Sequence, residues 1–225
     1  MINQIVVQIE DEFLRLANPN KAKQMKDYLR NQFLMYGIVS PQRKEVQKRI
    51  FPAIKELKGT AEGWQFIHSL LSKDEREFFY FALDWLNSWN EKLLLESDIV
   101  EMEKMILHQS WWDSVDTLAS NCLGNWMKKF KNERNPWIEK WSNDSNFWLN
   151  RSCLIFQLKY KNDLDELLLY GLIKKMKGNS EFFIQKAIGW SLRSHSRQNP
   201  EWVLQTVDKL KLKGLSKKEA TRLIN

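Results

Sequence analysis

Ser110-Trp111-Trp112-Asp113-Ser114-Val115-Asp116 is the stretch on which the fold turns. It carries one of four aromatic doublets, the others being Phe78-Phe79, Phe147-Trp148 and Phe182-Phe183. Successive doublets stand 33, 36 and 35 residues apart. Each begins a segment whose apolar residues follow helical spacing: Glu77–Trp89, Ser110–Trp126, Asn146–Tyr160 and Ser180–Ser196. Other helical segments, such as Ser97–His108 and Leu164–Lys177, lie between them. A helical pair that recurs at this period cannot bury its apolar face alone, so neighbouring pairs must stack. The spacing therefore predicts an all-α fold, an α-solenoid of about six helical pairs with a concave groove lined by the doublet helices. Residues 1–225 are expected to form a single domain.

The rest of the chain is punctuated for helices. Ile5, Ile9, Phe13 and Leu16 form one apolar stripe. Asn18-Pro19 is expected to open a second helix that Gly37 closes, and Ser40-Pro41 a third. Ser72 with Glu75 reads as a capping box for the helix running through Trp89. Asn135-Pro136, Asn146, Ser180 and Asn199-Pro200 mark further starts, and Ser216 precedes a last short helix over 217–223. Roughly twelve helices with short connections result. The tetratricopeptide and ankyrin patterns are not met, and HEAT-like pairs fit best.

Composition narrows the function classes. Aromatic residues make up 12% of the chain and hydrophobic residues 43%, which excludes a disordered or collagen-like polymer. With only 8 Gly and 5 Pro, the chain has no glycine cluster of the kind a nucleotide-binding loop needs. No segment approaches the roughly 20 apolar residues needed to span a bilayer. Met1–Val7 lacks a basic region and is followed by Glu10, Asp11 and Glu12, so no signal peptide is expected. Cys122 and Cys153 have no metal-ligand spacing and read as reduced thiols of a cytoplasmic protein. His68, His108 and His195 are far apart and read as surface or cap residues, so neither a metal site nor a cofactor is expected. The net charge of +7 is uneven. Residues 1–125 hold 15 basic and 18 acidic groups, a balance of −3, whereas residues 126–225 hold 20 and 10, a balance of +10. A basic half of this kind attracts polyanions.

Several residues on the doublet helices could meet. Asp116 lies four residues beyond Trp112, so carboxylate and indole share a helix face. Arg151 follows Trp148 by three, Lys186 follows Phe183 by three, and Trp190 follows Phe183 by seven. Stacked in register, Trp112, Asp116, Arg151, Lys186, Trp190 and Arg193 face one groove, which puts a single acid among aromatic planes and cations. An Asp near a helix start also serves as a cap or ion-pair partner, and Asp113 suits that task better. Most of the 11 Trp, including Trp64, Trp85, Trp89, Trp126, Trp137 and Trp141, are expected to pack the repeats. A basic groove would neutralise phosphates and release counterions. A carboxylate in a low-dielectric groove would stabilise positive charge developing in a transition state.

The segment Ser110–Asp116, together with Phe147-Trp148-Leu149-Asn150-Arg151 and Glu181–Trp190, resembles the AlkD family of HEAT-like DNA alkylation-repair glycosylases. Phe156–Lys161 and the region from Tyr28 through Phe33–Ile38 share the resemblance, which covers nearly the whole chain. It implies a monofunctional glycosylase of base excision repair that acts on positively charged alkylated purines, 3-methyladenine and 7-methylguanine, in duplex DNA. Matched position by position, Trp112 and Trp190 are the aromatic pair that embraces the lesion nucleotide and Asp116 is the catalytic carboxylate. Arg151 is the neighbouring basic residue, expected to hold the DNA backbone phosphates, and Tyr28 an N-terminal helix contact with DNA. Lys159, Lys186, Arg193 and Arg197 are further candidates for holding phosphates. The chain departs from the pattern at Val39-Ser40 and at a C-terminus that ends soon after the last helix. The implied partner is double-stranded DNA containing alkylated bases, met by a monomer without cofactor in the bacterial cytoplasm at the nucleoid.

Two other classes fit the same repeats. A non-catalytic binder of damaged or branched DNA would bind without releasing base. A HEAT-repeat scaffold for proteins would show no salt-dependent DNA binding and would carry an apolar or acidic groove.

Overall fold

The computed structural model describes residues 1–224. It is all-helical, with fourteen α-helices and no strand among the described residues. The chain divides into two compact units, Met1–Leu95 and a second that begins at Glu96. No helix among the described residues is long and apolar enough to cross a membrane.

In the first unit, α1 (Ile2–Leu16) buries Val6, Ile9 and Phe13. α2 (Pro19–Tyr28) starts where Asn18 caps it, the Asn18 side chain accepting from the Lys21 amide at 3.0 Å. α3 (Ser40–Ile50) runs into a 3-10 turn, and α4 (Ala61–Leu71) packs on α5 (Arg76–Asn87). The first doublet lies wholly in the core. The Phe78 ring lies tilted at 5.1 Å from that of Phe13, and further along α5 Phe81 and Trp85 meet Phe51 at 5.2 and 5.1 Å.

Two expected boundaries move. Gly37 does not close α2, which ends at Tyr28; it lies in the following loop with φ of +86°, where a Cβ would fall 2.2 Å from the Asn18 carbonyl oxygen. Ser72 and Glu75 form no capping box, because Ser72 ends α4 and α5 starts only after Glu75. Buried Glu77 instead gathers the loop, its carboxylate accepting from the amides of Tyr36, Gly37 and Ile38 at 3.1, 2.8 and 3.0 Å. A carboxylate bonded to three successive amides replaces the missing regular structure of that loop.

The second unit opens with α6 (Asp98–Leu107). The expected helix after Ser110 is present but broken in pitch: α7 (Trp112–Leu118), a π-helical turn at Ala119–Leu123 and α8 (Gly124–Lys129) follow without interruption. The wide turn accompanies a close approach, since a Cβ on Gly124 would lie 2.6 Å from the Phe156 carbonyl oxygen. Then come α9 (Arg134–Ser142), α10 (Phe147–Ile155), α11 (Glu166–Met176), α12 (Phe182–His195), α13 (Pro200–Lys209) and α14 (Gly214–Ala220). Asn146 and Asn199 cap α10 and α13 as expected, but Glu181 rather than Ser180 caps α12, and α14 begins before Ser216. Within this unit α10 packs between α7 and α12, and α14 covers α12. The three doublet helices of this unit thus stack in chain order. His195, expected at the surface or in a cap, is buried in the last turn of α12 and meets Glu166 at 2.7 Å.

Candidate functional site

The repeat register brings Asp116 of α7 and Arg151 of α10 face to face. Arg151 donates from Nε to Asp116 Oδ1 at 2.7 Å and from Nη2 to Oδ2 at 2.8 Å, a two-point fork. The remaining amino group, Nη1, donates to the Phe183 carbonyl oxygen on α12. One guanidinium therefore ties three successive doublet helices. Its side chain is 5% exposed and that of Asp116 15%, so the carboxylate keeps a small opening to solvent while its partner is enclosed.

Burial pushes the Asp116 carboxyl above the ordinary carboxylate range, and the nearby Asp113 charge adds to that rise. The two hydrogen bonds and the charge of Arg151 pull the other way. Arg151 is thus the group that favours a charged Asp116 in a place where water alone would not.

An aromatic cluster adjoins the pair through Phe183. Trp111 lies 5.8 Å from Trp148 and 5.4 Å from Phe183, and Trp148 lies 4.9 Å from Phe183. The Arg151 guanidinium sits 5.8 Å over the Phe183 ring. Six of the eleven Trp (Trp64, Trp85, Trp89, Trp126, Trp141 and Trp148) are buried, as packing predicts. Trp137, by contrast, is only half-buried. Trp112, the first residue of α7, and Trp190, in the middle of α12, are also half-buried, so each keeps an accessible ring surface.

The expected phosphate-binding cations differ in their surroundings. Lys186 and Arg193 both reach Glu219 of α14, Lys186 at 2.7 Å. Exposed Lys159 donates to the Asn121 side chain on the π-helical turn, and Arg197 is exposed beyond the end of α12. Tyr28, 72% exposed, ends α2 in the first unit. Arg151, expected to hold phosphates, is instead enclosed and engaged by Asp116 and Phe183.

Sequence reasoning missed Glu219, Trp111 and Gly189. A Cβ on Gly189 would lie 2.4 Å from that of Glu219 and 2.9 Å from the Ser216 carbonyl oxygen, so the glycine is what lets α14 rest on α12. A lone glycine before Trp190 in an otherwise helical stretch was the available signal.

A family model described as DNA alkylation repair enzyme matches residues 9–224. A solved structure described as a predicted DNA alkylation repair enzyme from Enterococcus faecalis is similar at 32% identity. That likeness covers 92% of this chain and 96% of the other, with a TM-score of 0.85. No curated protein matches the chain. With the family model spanning nearly its whole length, and with the stacked helices that the similar structure shares, the chain belongs to the DNA alkylation repair enzyme family.

Proposed function

We propose that the chain is a monofunctional DNA glycosylase that hydrolyses the N-glycosidic bond of positively charged alkylated purines, 3-methyladenine and 7-methylguanine, in duplex DNA. The observation that carries this is the Asp116–Arg151 pair: a largely buried carboxylate held in a fixed orientation by a two-point fork, beside an aromatic cluster that reaches Arg151 through Phe183. Alkylation at N7 of guanine or N3 of adenine makes the base cationic and a good leaving group. As the bond to C1′ breaks, the base takes the electron pair and leaves neutral, and the sugar gains oxocarbenium character. Asp116 stabilises that charge and orients the attacking water, whose oxygen bonds to C1′ while its proton passes to solvent. Trp112 and Trp190 pack against the lesion nucleotide and keep it in place. Against so strong an electrophile the water needs no further activation.

The test is release of 7-methylguanine from methylated duplex, followed by mass, with Asp116→Asn alongside the native chain. The substitution is expected to abolish most release while leaving DNA binding in place. Release at the native rate would remove Asp116 from the chemistry, and binding without any release by the native chain would support a non-catalytic binder instead.

A further inference from the structure

Lys186, Trp190 and Arg193 stand at i, i+4 and i+7 on α12, one stripe of a single helix face. Glu219 of α14 serves both cations, one carboxylate oxygen on each: Oε1 meets Lys186 Nζ at 2.7 Å and Oε2 meets Arg193. The Glu219 side chain is 12% exposed, whereas Lys186 and Arg193 are 38% and 23% exposed. The carboxylate is thus the inner member of the trio, and the cations are the ones solvent reaches. The hydrogen bond and charge of Lys186 hold its carboxyl below the usual range, with Arg193 adding to the effect, so it is ionised at neutral pH.

The position of Glu219 is built in. α12 and α14 are in extensive contact, and the contact depends on Gly189, beside Trp190, where any side chain would strike Glu219 and the Ser216 backbone. The carboxylate therefore already pairs, from beneath, the two cations that a polyanion would otherwise meet unpaired. Two cations and one fixed anion leave the stripe with a residual charge of one rather than two.

We propose that Glu219 is an internal phosphate mimic that masks Lys186 and Arg193 and so limits the grip of this face on undamaged DNA. An alkylation repair enzyme must leave the vast excess of normal duplex, and specificity of this kind is gained as readily by weakening the wrong complex as by strengthening the right one. The proposal rests on DNA as the partner of this chain and not on base excision.

The test uses the full chain and an undamaged duplex of fixed length, with affinity measured from low to moderate salt. Glu219→Gln, which keeps the shape but removes the charge, is expected to bind on the order of tenfold more tightly, and its dependence of log K on log salt to steepen by about one to two, since each phosphate newly neutralised adds about 0.9 to that slope. Adding Lys186→Gln and Arg193→Gln to the same chain is expected to cancel the gain. Unchanged or weaker binding by Glu219→Gln, or a gain that survives loss of both cations, overturns the proposal. A second arm does not touch Glu219. In the otherwise native chain, Lys186→Gln with Arg193→Gln is expected to lower the salt slope by no more than about one, the residual charge of the stripe, and a drop of about two would show that both cations already hold phosphates and would overturn the proposal. Excision assayed with Asp116→Asn is a separate readout, so loss of the glycosylase reading leaves these outcomes intact.

Discussion

Arg151 holds both carboxylate oxygens of Asp116 at 2.7 and 2.8 Å, across two helices whose doublets stand 36 residues apart in sequence. Because the same guanidinium also donates to the Phe183 carbonyl, Asp116 is oriented by one side chain anchored at three points, and that side chain is what opposes the effect of burial on its ionisation. A planar fork does this where a lysine, a point charge on a flexible stem, cannot.

Loss of that fork has a sign that can be read in a pH profile. Arg151→Gln removes the influences that lower the Asp116 carboxyl and leaves burial and Asp113, which raise it. The proposed chemistry needs the ionised form, so base release by Arg151→Gln should fail on acidification at a higher pH than in the native chain. Arg151→Lys, which restores the charge without the fork, should move the limb back part of the way. An acidic limb that stays in place in both variants would sever the link between Arg151 and the protonation state of Asp116. Arg151→Gln should also melt earlier, since breaking a buried pair by removing one partner costs about 3–5 kcal/mol.

In the first unit, Glu77 is fully buried and accepts three backbone amides of the loop after α2. Glu77→Gln replaces one acceptor oxygen by an amino group that faces N–H donors. The expected cost is about 2 kcal/mol in urea unfolding, from weakened charge-assisted bonds and a donor set against donors. Amide exchange at Tyr36, Gly37 and Ile38 should accelerate more than exchange in α5; equal acceleration throughout would mean that Glu77 supports the helix and not the loop.

The all-helical repeat was legible because its period is written in large residues. The doublets mark α5, α7, α10 and α12, and the bonds between neighbouring repeats keep nearly the same offset. Asp116 pairs with Arg151 at 35 residues, Tyr160 reaches the Gly124 carbonyl at 36, and Lys186 reaches Glu219 at 33. The Asp116–Arg151 meeting followed from that register. What stayed hidden depends on contacts with no periodic signature. Glu219 lies on a short helix without a doublet, and Gly37 looks like a helix stop although its positive φ serves a close approach to Asn18 and Ala22. The π-helical turn left no mark either, because one extra residue per turn leaves the apolar pattern of a long helix nearly intact. That the Arg151 side chain is enclosed was not legible either, because spacing gives a face and not a depth.

That turn gives a stability prediction of its own. Gly124 lies against the Phe156 carbonyl oxygen at a distance that a Cβ would cut to 2.6 Å, and the Tyr160 hydroxyl donates to the Gly124 carbonyl at 2.6 Å. Gly124→Ala should destabilise by about 1–3 kcal/mol through forced separation of α8 and α10, even though alanine is the better helix former. Tyr160→Phe should cost about 1 kcal/mol for the buried hydroxyl bond. Because the two share one contact, the double variant should cost less than the sum measured in urea; full additivity would mean that the contact is not shared.

The buried thiols give stability a dependence on alkaline pH. Burial pushes Cys122, on the π-helical turn, and Cys153, in α10, up to about 12. An unfolded thiol titrates near 8.5. Below that value both states hold the proton and pH has no leverage through these groups. Above it the unfolded chain releases the proton first, so stability falls as pH rises from about 8.5 toward 12, on the order of 1 kcal/mol per pH unit for each thiol. Denaturant unfolding under reducing conditions at pH 7.5, 8.5 and 9.5 should show this decline. Cys122→Ala with Cys153→Ala should flatten it, whatever the two substitutions cost in absolute stability. The same burial should make both thiols of the folded chain slow toward a disulfide reagent at pH 8, with a thiolate fraction of about 10⁻⁴, and fast in denaturant. Rapid labelling of Cys122 alone would instead mean that the π-helical turn beside Asp116 opens in the native state.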